Sequence, residues 1–162
     1  MKRYPYLLGD ACNIPLQDGQ VAIVDAADYP LVSDRTWSLT KAGYVTTVIS
    51  QGDGSCRWVL LHRRIMGESA SLVDHIDRDR LNNRRSNLRL ATRQGNSANS
   101  RTKRFLPKGV YRKYLKYRAM ITVNYKSIGL GSFATVEEAA IAYDRAAKHH
   151  FGEFARTNTT IA

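Results

Sequence analysis

Cysteine is scarce in this 162-residue chain: two residues, Cys12 and Cys56, stand far apart, and no C-x-x-C spacing occurs. A structural zinc site of the usual spacing is therefore not expected, and both cysteines read as free thiols in a reducing compartment. Long apolar runs are missing too, so no segment approaches a membrane span. The opening Met-Lys-Arg-Tyr-Pro-Tyr-Leu-Leu-Gly has too short an apolar stretch between Pro5 and Gly9 for a signal-peptide core. No coiled-coil pattern or extended apolar patch calls for an obligate dimer. The expectation is an intracellular, soluble monomer with no membrane partner and no small-molecule cofactor.

Charge is present and uneven. Residues 1–70 hold seven Lys/Arg and seven Asp/Glu, residues 71–110 ten and three, and residues 111–162 eight and four. The whole net charge of +11 thus lies after residue 70. Such asymmetry points to a polyanionic partner. The basic residues interleave with Asn, Tyr and Thr and form no amphipathic membrane face, which favours nucleic acid.

The first 61 residues read as a small β-rich scaffold. Residues 20–25 are a short apolar run bounded by Asp-Gly, a strand signal. Tyr29-Pro30 breaks that pattern. Residues 43–49 and 57–61 are two more strand candidates, joined through Gln51-Gly52-Asp53-Gly54, which tolerates positive φ and reads as a hairpin turn. Trp37 and Trp58 are both expected in the core. His62, in His62-Arg63-Arg64, reads first as a packed structural histidine, with a phosphate contact or a residue supporting the site from behind as the alternatives.

The informative stretch is residues 72–99. Asp74 and His75 are adjacent, Asn87 follows His75 by twelve positions and Asn96 follows Asn87 by nine. Five arginines fall within residues 77–89. The Asp-His pair, Asn82-Asn83, Asn87-Leu88-Arg89 and the late Asn96 resemble the HNH endonuclease motif in order and approximate spacing. That resemblance implies two short strands and a helix around one divalent metal, a ββα-metal arrangement. Many members carry His where Asn96 stands, which makes this an H-N-N variant.

Hydrolysis of a phosphodiester requires an activated water, neutralised phosphate charge and a stabilised leaving 3′ oxygen. His75 can accept a proton near neutral pH and is the expected general base. In an extended segment Asp74 and His75 point to opposite faces, so one can hold metal while the other faces water. Asp74 with Asn96 is a hard-oxygen pair suited to one Mg²⁺ or Mn²⁺. The resemblance assigns Asn87 to orienting the His75 segment. Asn82 and Asn83 read as turn residues, and so do Asp77 and Asp79, although either carboxylate is also a candidate ligand. Thr92 is expected to cap the helix carrying Asn96, in which Gly95 suggests close approach to backbone or DNA. Arg84, Arg85, Arg89 and Arg93 are candidate phosphate contacts. Residues 101–108 read as an extended basic linker whose Arg101, Lys103, Arg104 and Lys108 could track the DNA backbone.

Residues 110–112, 117–123 and 127–133 read as three strands, with a tight turn at Asn124-Tyr125-Lys126. Gly129-Leu130-Gly131 weakens or bends the last strand. Thr135-Val136-Glu137-Glu138 is a capping box, and apolar residues at Val136, Ala139, Ala140, Tyr143, Ala146 and Ala147 fit one face of a helix running to about His150. Gly152 can end that helix, and His149 and His150 suit its C-terminal dipole. Tyr117-Arg118-Ala119, Leu130-Gly131-Ser132-Phe133, Glu138-Ala139-Ala140, Ala142-Tyr143-Asp144 and residues 152–158 resemble an AP2-type DNA-binding domain. The resemblance implies a sheet that enters the major groove, with Lys108, Arg112, Lys113, Arg118, Thr122 and Lys126 as candidate contacts. Tyr111 and Gly129 replace an Arg and a Trp of the plant-type pattern, so no target sequence carries over.

The expected fold class is α+β: a β-rich scaffold leading into the HNH motif over residues 1–100, a linker over 101–108, and a three-stranded antiparallel sheet packed on one helix over 109–162. The expected function is metal-dependent cleavage of double-stranded DNA by a homing-type, nicking endonuclease of a phage or bacterial cell. The alternative is a catalytically inactive, sequence-specific DNA-binding regulator.

Overall fold

A computed structural model describes residues 4–67, 72–100 and 105–158. The chain is α+β and divides into two compact units, Met1–Leu90 and Ala91–Ala162.

In the first unit β1 (Tyr6–Leu8), β2 (Ala11–Pro15) and β3 (Val21–Asp25) form an antiparallel meander. Strand alternation turns Cys12 and Ile14 inward, opposite Val24 and Ala22, so one face of the meander is apolar and buried. Tyr29-Pro30 opens a one-turn helix, α1 (Tyr29–Val32), with proline in its first turn where a missing N–H is harmless. A second sheet orders β4 (Ser38–Leu39), β5 (Val45–Ser50) and β6 (Cys56–Leu60), and the turn between β5 and β6 uses Gly52 and Gly54 at positive φ. Trp37 is buried, its indole N–H donating to the Val32 carbonyl at 3.1 Å.

Trp58 does not join it. It lies opposite Val48 on the open face of the β5–β6 hairpin and is 68% exposed. Period-two alternation explains this: Val59 takes the inward position, so its neighbour turns out. The cysteines are free thiols, Cys12 buried and Cys56 exposed.

Helix α2 (Leu61–Met66) follows β6 directly and buries Leu61, His62 and Ile65. Then come β7 (Leu72–His75) and β8 (Leu88–Ala91), hydrogen-bonded to each other, with Val73 and Leu88 in the same core as the meander. The loop between them is bound to the scaffold. Ile23 N–H donates to the Leu81 carbonyl and Asn83 N–H to the Ile23 carbonyl, both at 2.8 Å. The β3 edge therefore continues into the motif loop.

The second unit holds α3 (Arg93–Asn99), then an antiparallel sheet of β9 (Val110–Lys113), β10 (Lys116–Val123) and β11 (Lys126–Phe133), then α4 (Val136–Phe151). The capping box forms: Glu138 N–H donates to Thr135 Oγ1 at 3.2 Å, and Glu138 Oε2 accepts from Thr135 N–H at 3.3 Å. Ala139, Ala140, Tyr143 and Ala147 bury against the sheet. Small side chains let the helix approach closely. At Gly109, φ is +77° and an added Cβ would stand 1.9 Å from the Tyr143 ring. The glycine pair in β11 makes a bulge: Ala119 faces Gly131 and Met120 faces Gly129, which releases Leu130 to pack inward. Asn158 fastens the chain end, donating from Nδ2 to Asp144 Oδ1 at 3.0 Å and to the Lys108 carbonyl at 3.1 Å.

Thr92 caps α3, its hydroxyl accepting from Gly95 N–H at 3.1 Å. A Cβ at Gly95 would lie 3.0 Å from the Phe154 ring, so the close approach expected there is to an aromatic side chain. The units divide at Leu90/Ala91, which groups α3 with the sheet and α4.

Candidate active site

β7 delivers Asp74 and His75, and both are buried. Arg89, on the neighbouring strand β8, donates through Nε (3.1 Å) and Nη2 (2.9 Å) to Oδ2 of Asp74. Both side chains are nearly withdrawn from solvent, so the attraction acts in a low-dielectric setting, and removing either partner would leave a buried charge.

His75 is 4% exposed, and its Nε2 lies 3.2 Å from Asn83 Oδ1. The amide of Asn83 has a defined orientation, because its Nδ2 donates to the carbonyls of Arg80 (3.0 Å) and Leu81 (3.1 Å). Its oxygen therefore faces the imidazole, and Nε2 must be the donor. In neutral His75 that places the lone pair on Nδ1. Burial lowers the pKa of His75, opposed by the Asn83 hydrogen bond and by Asp77 and Asp74, and the net effect is a pKa below the ordinary value. The shift favours the neutral ring, the form that can accept a proton.

Two further rings surround it. His62, on α2, meets His75 edge-on with centroids 5.2 Å apart, and Tyr44 lies 5.4 Å from His62. Burial, with His75 and Arg63 nearby, lowers His62 to about 4. The Arg80 guanidinium covers the Tyr44 ring at 4.3 Å.

Asn87 fastens the loop that leaves His75. Its Oδ1 accepts from Asp77 N–H at 3.0 Å, and its Nδ2 donates to Asp77 Oδ1 (2.8 Å) and the Asn82 carbonyl (2.7 Å). Asp77 also accepts from Asn82 Nδ2 at 2.8 Å and Asp79 N–H at 2.7 Å. Burial raises its proton affinity, yet these hydrogen bonds outweigh it and hold the carboxyl below its usual range. Both oxygens of Asp77 are thus engaged in the turn.

Asp74, His75 and Asn87 belong to the first unit, whereas Asn96, half-buried on α3, belongs to the second. Among the described residues no three His, Cys, Asp or Glu side chains come together as a metal site. Three of the arginines expected on phosphate are bound within the unit: Arg84 to Asp10 (3.1 Å), Arg85 to the buried Asp28 (2.7 Å), and Arg89 to Asp74. Arg93 opens α3 and is exposed. Arg101, Lys103 and Arg104 lie outside the described residues. The Lys108 ammonium donates to the carbonyls of Ser97 and Ser100, both at 3.1 Å, and to that of Ala98, which completes the C-terminus of α3.

Register sorts the remaining cations. Tyr111, Lys113, Lys116, Arg118 and Thr122 share the sheet face opposite α4. Arg112 pairs with Tyr117 and Lys126 with Val123, on the α4 side. The Arg118 guanidinium lies over Gly129, where a Cβ would approach its Nη2 to 3.4 Å.

Sequence reasoning missed Asn83 and Tyr44 as parts of the site and left the role of His62 open. Asn83 reads as a turn residue because its partner is eight positions away. The two rings come from elements that only the fold brings beside His75.

A model of an HNH endonuclease family matches residues 69–98, a stretch that includes β7, β8 and most of α3. An uncharacterized HNH endonuclease of Acanthamoeba polyphaga mimivirus is 40% identical over 149 residues, covering 86% of this chain and 75% of that protein. The chain belongs to the HNH endonuclease family. It is a nuclease, and family members generally use a divalent metal. An ethylene-responsive transcription factor-like protein of Arabidopsis thaliana is 55% identical to this chain over 42 residues, 26% of this chain and 19% of that protein. None of the endonuclease's described helices is long and apolar enough to cross a membrane.

Proposed function

We propose that the protein is a homing-type endonuclease that cuts double-stranded DNA at one metal-assisted site, nicking one strand as a monomer. The carrying observation is the geometry of His75: buried, with Nε2 held by Asn83 Oδ1, which puts the lone pair of the neutral ring on Nδ1. Nδ1 takes the proton of the water that attacks phosphorus, and the 3′ oxygen leaves. Asn83 favours the proton on Nε2, which places the lone pair of the neutral ring on Nδ1. Asn87 holds the loop after His75 and so limits its drift.

By the motif's order in the sequence, Asp74 and Asn96 are the candidate metal ligands. A carboxylate and a carboxamide oxygen are hard donors, which fits Mg²⁺ or Mn²⁺. When bound, such an ion supplies Lewis-acid polarisation of the phosphate and stabilises the departing oxygen. The exposed sheet face with Lys113, Arg118 and Thr122, together with Arg93, would carry affinity and position. The short likeness to a plant transcription factor-like protein is a weak hint in favour of an AP2-type role within this chain.

The test is conversion of supercoiled plasmid, with Mg²⁺ or Mn²⁺ against EDTA, by wild type and His75→Ala. Open circles that require both metal and His75 are expected, with the variant slower by about 10²–10⁴-fold and its DNA affinity unchanged. Wild-type rates from His75→Ala would sink the assignment. Linear product from single binding events would replace nicking by paired cutting.

A further inference from the structure

The sheet has two tight turns of different quality. Between β10 and β11, Asn124 and Tyr125 take φ of 48° and 63°; this tip also carries an exposed tyrosine at positive φ, but asparagine holds its first central position and Asn124 N–H donates to Gln94 Oε1 at 3.3 Å. Between β9 and β10 the central residues are Tyr114 and Leu115, and Tyr114 has φ 53°. Positive φ at the first central position is where a two-residue hairpin normally carries glycine. A tyrosine there is sterically disfavoured.

Three local features of this tip oppose folding in water. The backbone is strained at Tyr114. Tyr114 and Leu115 are 87% and 92% exposed, side by side. Lys113 and Lys116 face each other as the last strand pair, like charges in direct opposition. Local conflicts of this kind mark positions kept for something outside the fold. The partner that relieves all three offers dense negative charge flanking a flat apolar layer. Duplex DNA does so, with phosphates on either side of stacked bases.

We propose that Tyr114 and Leu115 form an apolar wedge that enters a base step of bound duplex DNA, with Lys113 and Lys116 on the flanking phosphates. A two-stranded ribbon has the dimensions to enter a groove, and apolar side chains placed between base steps unstack and kink a duplex. This inference rests on the reading that the second unit binds DNA. It adds deformation of the target to recognition by the sheet.

The test uses the full chain and the variant Tyr114→Gly/Leu115→Ser, which installs the preferred turn residues. Binding to closed circular plasmid is measured first by gel shift in EDTA. The same complexes are then relaxed with a topoisomerase that needs no divalent cation, and the linking number is read after deproteinisation. Wild type is expected to leave the plasmid underwound in proportion to protein bound. The variant is expected to bind about tenfold more weakly, the size of one lost stacking contact. At matched occupancy it should leave the linking number nearly unchanged, while its Tm rises by a few degrees because the strain is gone. Stability gained together with deformation lost is the signature of the wedge. An unchanged affinity, or equal underwinding at matched occupancy, overturns it. Wild-type protein that binds no plasmid at all overturns the DNA-binding reading itself, and the wedge with it.

Discussion

The two units use arginine and lysine in opposite ways. Met1–Leu90 carries twelve Lys/Arg against ten Asp/Glu, a net of +2, and Ala91–Ala162 carries thirteen against four, a net of +9. In the first unit cations are mortar: Arg84, Arg85 and Arg89 hold Asp10, Asp28 and Asp74, and through them the loop around His75. In the second unit an alanine-lined helix supplies the cohesion, and cations such as Lys113 and Arg118 stand on the open sheet face. The difference teaches that the number of basic residues does not locate a DNA surface. The acids within reach decide which cations are already committed.

That contrast breaks most sharply at Arg89. Arg89→Ala should destabilise the protein by about 3–5 kcal/mol, because Asp74 is left charged and buried. Denaturant titration checks this. A double replacement, Arg89→Met with Asp74→Leu, should recover most of the loss while abolishing cleavage. A cost under about 1 kcal/mol for the single variant would mean that water already solvates the pair.

His62 comes next. Its pKa is lowered to about 4 by burial in the folded chain, against an ordinary value of about 6.5 when unfolded. Between those values the unfolded chain binds the extra proton, so the contribution is complete above pH 6.5 and is lost as pH falls toward 4. The loss amounts to about 3 kcal/mol at most. His62→Phe keeps a ring beside His75 and should flatten the stability profile between pH 6.5 and 4. An unchanged slope in thermal melts across that window would assign the acid sensitivity to another group.

Much of the fold is legible in the sequence. The strands and helix of the second unit follow from period-two and period-3.6 patterns, and its capping box from four consecutive residues. The hairpin around Gly52 and Gly54 was equally readable. Asp74, His75 and Asn87 stand out because the motif is local in sequence. What stayed hidden is non-local. Trp58 reads as core from the sequence because size and apolarity say nothing of which face a strand position occupies, and it is exposed. Asn83, with its buried amide between two carbonyls and an imidazole, looks like any turn asparagine until the loop closes. His62 and Tyr44 reach His75 only through the packing of α2 and the turn before β5. The pairing of motif arginines with Asp10 and Asp28 spans 74 and 57 positions, a separation no local pattern carries.

The capping box gives a smaller, purely structural effect in the second unit. Thr135→Ala should cost about 1 kcal/mol, since the Glu138 N–H loses its acceptor at the start of α4. The loss should appear in the melting of the sheet–helix unit and leave cleavage chemistry intact at temperatures where the variant is folded. A drop in cleavage at full folding would tie α4 to the active site.

Arg118→Ala sharpens the comparison from the other side. Arg118 is exposed on the face away from α4 and lies over Gly129, so its removal creates no cavity and strands no buried partner. Stability should change by less than about 0.5 kcal/mol. If its guanidinium contacts a phosphate, DNA affinity falls across all sequences alike and the slope of log K against log salt drops by about one. If it reads a base edge, the loss of about 1–3 kcal/mol is confined to particular targets and the slope is preserved. Affinity measured on mixed-sequence plasmid at several salt concentrations separates these outcomes. An arginine that changes neither would show that the outer sheet face is not where this unit meets DNA. The +9 charge of the second unit would then have to act through α3 and the basic segment after it.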